Sequence, residues 1–188
     1  MSKLEINPGV SPYPMPVVLV GADVHKKPNF MAVAWFNKMN GRPPVWAVSI
    51  GKKQYTLIGI RENRTFSINF PSTKHMQVTD YCGIYSGRDV DKSSLFNVFY
   101  GKVGTAPMIN EATLTIELEV VDIMESLEVC DIVLGEVKAA YTEEEYQSNG
   151  ILDPRKLDPF VLTQPDNHYW SIGEIVGNAF KDGKNYST

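Results

Sequence analysis

From Thr113 to Val121 the chain alternates polar and apolar residues without a break, with Leu114, Ile116, Leu118 and Val120 set between Thr113, Thr115, Glu117 and Glu119. A period of two is the mark of an extended strand, because successive side chains there point to opposite faces. The pattern predicts that the four apolar residues face inward and the four polar ones outward. An isolated strand leaves its backbone donors and acceptors unpaired, so this one requires neighbours. Val129 to Val137 is a second apolar segment at hairpin distance, and antiparallel pairing of the two is expected.

Further strands follow from the same reasoning. Val17 to Asp23 is almost wholly apolar, as in a strand buried on both faces. Phe30 to Phe36 and Val45 to Ile50 read as two more, joined by a loop carrying Gly41, Pro43 and Pro44, with Met31, Val33 and Trp35 on one face of the first. Thr65 to Phe70 places Phe66, Ile68 and Phe70 together before Pro71 ends it. Helices are few and short. Thr56 is positioned to cap one, with Leu57, Ile58 and Ile60 on its buried side and Gly59 as a weak point. Ser72 to Tyr81 suits a second, and Thr142 to Gln147 a short acidic helix or turn.

Residues 1–15, with Pro8, Pro12 and Pro14, read as an extended arm. Residues 16–188 read as one domain whose last forty residues are loop-rich with aromatic anchors. A chain of 188 residues with many antiparallel strands is mainly β, a barrel or sandwich rather than a doubly wound sheet.

Several function classes are disfavoured. The net charge of −4 comes without a run of either sign, which argues against nucleic acid and anionic membranes as partners. Val17 to Val20 is far too short to span a bilayer. The first residues do not resemble a secretory signal, and two cysteines without paired spacing suggest no disulfide framework. A reducing cytoplasm is the expected location. There is no G-x-G-x-x-G, Walker loop or His-Glu-x-x-His. His25, His75 and His168 lack metal-ligand spacing. Cys82 has no evident partner to activate it as a nucleophile.

Four ordered segments carry more information. They are Asn29-Phe30-Met31-Ala32-Val33-Ala34-Trp35-Phe36, Val48-Ser49-Ile50-Gly51-Lys52-Lys53-Gln54-Tyr55-Thr56, Phe66-Ser67-Ile68-Asn69-Phe70-Pro71, and Asp80-Tyr81-Cys82-Gly83-Ile84-Tyr85-Ser86-Gly87-Arg88-Asp89-Val90-Asp91-Lys92. With Tyr169-Trp170-Ser171-Ile172-Gly173 near the C-terminus, they resemble the flavin reductase-like family, most closely its flavoredoxin branch. The resemblance implies an FMN-binding split barrel: a six-stranded antiparallel barrel with a few peripheral helices. It also implies a homodimer with the flavin near the subunit interface.

On that resemblance the cofactor-binding residues are Asn29, Met31, Ala32, Trp35, Ser49, Ile50, Lys52, Lys53, Thr56, Cys82, Gly83, Ser86, Lys92 and Trp170. A turn leading into a helix N-terminus suits a dianionic phosphate, and Ser49, Lys52, Lys53 and Thr56 surround such a turn. Read alone, that segment is more commonly a solvated Lys-Lys turn before a capped helix, and the other motifs tip it toward phosphate contact. Trp35 serves either the core or the flavin. Cys82 reads first as a small packed residue. Lys92 either pairs with Asp91 or reaches the phosphate, and Tyr169 and Trp170 either cover the flavin or dimer seam or anchor the tail. The flavin performs the chemistry, so no catalytic side chain is expected. Two activities follow: an NAD(P)H-dependent flavin or ferric reductase, or an electron carrier serving a redox protein partner. A barrel that has lost its flavin is a third reading.

Overall fold

The structure is a computed structural model that describes residues 2–11 and 14–186; Pro12, one of the prolines assigned to the arm, lies outside the described residues. Seven strand segments make one antiparallel sheet: β1 Val18–Val24, β2 Lys27–Val33, β3 Phe36–Gly41, β4 Pro44–Gly51, β5 Thr65–Phe70, β6 Leu114–Met124 and β7 Cys130–Tyr141. Their hydrogen-bonded order is β2-β1-β5-β6-β7-β4-β3. The two end segments, β2 and β3, are consecutive in the chain and separated only by Ala34 and Trp35. The ladder therefore returns to its starting strand, and Ser49 N donates to Trp35 O at 2.8 Å across the seam. Lys27–Gly41 is thus one strand bent in the middle, which gives the six-stranded barrel. The single strand expected over Phe30–Phe36 is corrected accordingly. Its first half pairs with β1 and its second with β4, and the bend turns Trp35 outward, 53% exposed, rather than into the core.

Inside the barrel lie Val18, Val20, Val33, Val48, Ile50, Phe66, Ile68, Leu118 and Val133. Helix α1, Tyr55–Asn63, adds Leu57 and Ile60, which are 1% and 0% exposed. Each such side chain contributes about 1.5–3 kcal/mol when fully buried. Gly59 is not the weak point expected: a Cβ there would overlap the carbonyl oxygen of Asp23. Its absence lets α1 lie on the backbone of β1. The helix is capped by Gln54 without a side-chain bond, and Thr56 lies within its first turn, not at its cap.

A second cluster outside the barrel wall, Leu19, Phe30, Cys82, Phe96 and Ile109, is covered in part by α2, Met76–Ile84. Beside it the 100–112 segment covers β6, which explains another correction. Thr113, Thr115 and Glu117 are buried at 2%, 2% and 0% exposure, and among the four polar residues expected outside only Glu119 is exposed. The Glu117 carboxylate accepts from Lys102 N at 2.7 Å, Val103 N at 3.0 Å and Tyr141 Oη at 2.7 Å. A buried charge needs such partners. Here they fasten the 100–105 segment over β6.

The C-terminal region is more ordered than expected. β8, Phe160–Thr163, and β9, His168–Ser171, form a hairpin, and Met15–Pro16 joins it through Met15 and Leu162. Among the described residues no helix is long and apolar enough to cross a membrane.

Candidate functional site

Strand β2, the first turn of α1, the end of α2 and the 85–92 loop converge on one side of the barrel. Asn29, on β2 and 4% exposed, donates from Nδ2 to Thr56 Oγ1 at 2.7 Å. That bond fixes the strand to the helix start. The first N–H groups of α1 have no intrahelical acceptor, and no acidic residue stands in its first turn. The positive end of the helix dipole is therefore left for an external anion.

The 85–92 loop folds back over this corner. Gly87 lies so close that a Cβ would overlap Asn29 Oδ1 and stand 2.6 Å from Tyr55 Cδ1. Arg88 donates from Nη1 to Lys53 O at 2.7 Å and places its guanidinium 5.3 Å from the Tyr55 ring centroid. A fixed, planar cation beside a helix N-terminus is a fork suited to phosphate.

Two cavities adjoin at the Asn29–Gly87 contact. One, about 210 Å³, is lined by Asn29, Met31, Ala32, Gln54, Thr56, Cys82, Gly83, Ser86 and Lys92, among others. The other, about 270 Å³, is lined by Lys27, Pro28, Tyr55, Arg88, Asp89 and Asp91. Tyr55 and Lys92 border both.

Lys92 is 3% exposed and donates from Nζ to Phe30 O at 3.0 Å and Cys82 O at 2.9 Å. Desolvation lowers its pKa. Burial pushes the Cys82 thiol up to about 11, opposed more weakly by Lys92. Cys82 is thus a neutral, packed group at neutral pH, and only its thiolate is nucleophilic. The Asp91–Lys92 pair does not form. Asp91 instead binds Lys27 Nζ at 2.6 Å, and that contact, with Ser93, holds its carboxyl far below the usual range.

Eight of the residues chosen from sequence therefore meet at one cavity: Asn29, Met31, Ala32, Thr56, Cys82, Gly83, Ser86 and Lys92. Six others lie elsewhere. Ile50 points into the barrel core at 0% exposure, leaving only its backbone for a ligand. Ser49 is spent on the seam through its N–H. Lys52 donates to Glu125 O at 2.9 Å and stands 3.6 Å from Asp131, so it ties down the β6–β7 turn. Lys53 offers its carbonyl to Arg88. Trp35 is on the outer face. Trp170 sits on the hairpin and donates to Thr163 Oγ1 at 2.8 Å, while its neighbour Tyr169 binds Asp80 at 2.8 Å. Tyr55 and Arg88 were not singled out as ligands. Arg88 is a basic residue in a glycine-bearing loop, a usable signal, but only the folded loop shows that it returns to α1.

The model of the family described as flavin reductase like domain matches residues 10–162. The structure of flavoredoxin from Methanosarcina acetivorans is similar with a TM-score of 0.96 and 48% identity, covering 98% of both chains. Flavoredoxin of Desulfovibrio vulgaris (Miyazaki F) gives a TM-score of 0.88 and 33% identity, covering 97% of this chain and 100% of that one. An uncharacterised protein of Aeropyrum pernix is 33% identical over 138 residues, 72% of this chain and 52% of that protein. The chain thus spans about half the length of that relative.

Proposed function

Because this chain belongs to the flavin reductase-like family, we propose that it is an FMN-binding redox protein acting as a homodimer. The observation that carries the cofactor assignment is the N-terminus of α1, without a side-chain cap bond or an acidic residue in its first turn, with Arg88 fixed beside it. A phosphate there meets the Tyr55 and Thr56 amides and one guanidinium. Met31, Ala32, Cys82 and Gly83 supply an apolar wall for a flat ring, and Asn29 and Lys92 supply polar groups at its edge. Gly83 keeps that wall flat, since a Cβ would stand 3.3 Å from Ala32 Cβ. The residues fit the group.

When bound, FMN supplies the electron-transfer chemistry that no side chain in the site can. The protein's part is to orient the ring, to shield it from water, and to set the local charge. The buried Lys92 ammonium favours added negative charge nearby, which raises the affinity for reduced flavin relative to oxidised. Each cavity alone is below the ~300–1,000 Å³ of sites that enclose a ligand of this size. The rim residues Ile84 and Tyr85 are 65% and 48% exposed. These open cavities and this exposed rim are what a second copy would cover, which is the ground for the dimer reading.

The electron path has two forms. In the first, NAD(P)H reduces the bound flavin, and free flavin, a ferric complex or a protein takes the electrons. In the second, the chain is a carrier between redox proteins, which the likeness to two flavoredoxins favours. Purified protein should be yellow, with about one FMN per subunit. Rapid bleaching by NADH or NADPH in a stopped-flow instrument supports the reductase. Bleaching only by dithionite or a partner protein supports the carrier, and protein that takes up no FMN rejects both.

A further inference from the structure

Two apolar surfaces of this chain have no partner within it. The first is the C-terminal segment after β9. Among the described residues its hydrogen bonds are all internal, such as Asn178 N to Asp182 Oδ2 at 2.7 Å. It nevertheless carries Ile175, Val176, Phe180 and Tyr186 at 70%, 103%, 97% and 82% exposure. Polar linkers do not present such residues; chains destined to pack against something do.

The second is a band across the outside of the barrel. Val48, Ile50 and Val133 point into the core, so Ser49 and Ile132 point out. The register sets Ser49 opposite Ile132 and Ile132 opposite Met124, and Ser49 is bonded to Trp35. Trp35, Ile132 and Met124 thus form one row, with Trp35 and Met124 53% and 45% exposed. The row begins at the bend of the strand that carries Asn29, Met31 and Ala32. Whatever covers it also borders the candidate flavin slot.

Resting on the dimer reading above, we infer that the C-terminal segment of one copy, residues 172–186, docks in trans across the Trp35–Ile132–Met124 band of the second copy. Within one chain each surface is left over; a two-fold axis satisfies both surfaces of both copies with a single type of contact. The area is sufficient. A phenylalanine and a tyrosine bury ~150–250 Å² each. With the aliphatic residues, the facing band and the two-fold repeat, the total is roughly 2,000 Å², within the range of stable dimers. Closure of the flavin slot then depends on a segment supplied by the partner.

Sedimentation equilibrium on the full chain tests this with three proteins: the parent, the tail variant Val176→Asp/Phe180→Asp, and the band variant Met124→Asp. All three sites are exposed, so each variant should fold as the parent does, with the same far-UV circular dichroism. The parent should be a dimer, and each variant should dimerise ~30-fold or more weakly, as for loss of a central anchor. An equimolar mixture of the two variants should form a heterodimer more stable than either homodimer, because one intact tail then meets one intact band. A parent that is monomeric would overturn the dimer reading itself. A tail variant that dimerises as tightly as the parent, or a mixture without preferred heterodimer, would overturn only the docking in trans.

Discussion

Replacing Gly87 with alanine tests how closely the loop must sit on the site. The added Cβ would overlap Asn29 Oδ1, stand 2.9 Å from Asn29 Cγ and stand 2.6 Å from Tyr55 Cδ1. Carbon atoms pack without repulsion at about 3.5–4.0 Å, so the loop must retreat by about 1 Å. Asn29 cannot yield, since it is buried and bonded to Thr56 at 2.7 Å. Tyr55 is held between the helix start and Arg88. Overpacking of this kind costs about 1–3 kcal/mol. The loop is at the surface, so the barrel stays folded and the cost falls on the bound geometry. FMN affinity should drop between about 5- and 150-fold. Flavin fluorescence quenching measures that affinity, and a thermal melt recorded in parallel separates binding from stability. A Gly87→Ala protein that binds FMN as tightly as the parent would refute the packing described for the 85–92 loop.

Three further outcomes are expected. Arg88→Ala should weaken FMN binding by ~10–100-fold, the value of one charge-assisted contact, and leave riboflavin binding unchanged, because riboflavin lacks the phosphate; calorimetric titration of both ligands compares them. Lys52→Ala should lower the Tm but not the FMN affinity, since Lys52 serves Glu125 and the fully buried Asp131; weaker FMN binding without loss of Tm would return Lys52 to the phosphate site. The Cys82 thiol, raised from its ordinary 9.0 to about 11, contributes stability that is fully present below pH 9 and lost as pH rises toward 11. Denaturant melts of the parent and Cys82→Ala across that range should show the parent alone losing that increment, and parallel pH profiles would contradict it.

What could be read in the sequence was whatever leaves a periodic or compositional trace. The alternation of β6, the apolar run of β1 and the Phe66, Ile68, Phe70 face all became barrel strands, and the barrel class followed. Periodicity reports which residues share a face, but not whether a second layer covers the other face. Glu117 and Thr115 were therefore placed outside although the 100–112 segment buries them. The bend at Ala34–Trp35 also left no mark, because both halves of the strand are equally extended and only their partners change. At the site, Asn29 and Thr56 were named separately, while the hydrogen bond that unites them spans 27 residues and exists only once α1 lies against β2. Lys52 and Lys53 look alike in the sequence. Their roles diverge because Asp131, far along the chain, reaches one of them. Gly59 reads as a weak point of a helix, yet it marks a place where α1 lies too close to the backbone of β1 for a side chain, and Gly87 is pressed in the same way against the Asn29 and Tyr55 side chains.

The most direct test of the account is a crystal soaked in FMN, with difference density phased on the protein alone. The phosphate should appear at the start of α1, within hydrogen-bonding distance of the Tyr55 and Thr56 amides and the Arg88 guanidinium, with the ring lying along Asn29 to Ala32. Phosphate density at any other place, or the same corner filled by the protein's own side chains while FMN binds elsewhere, would contradict it.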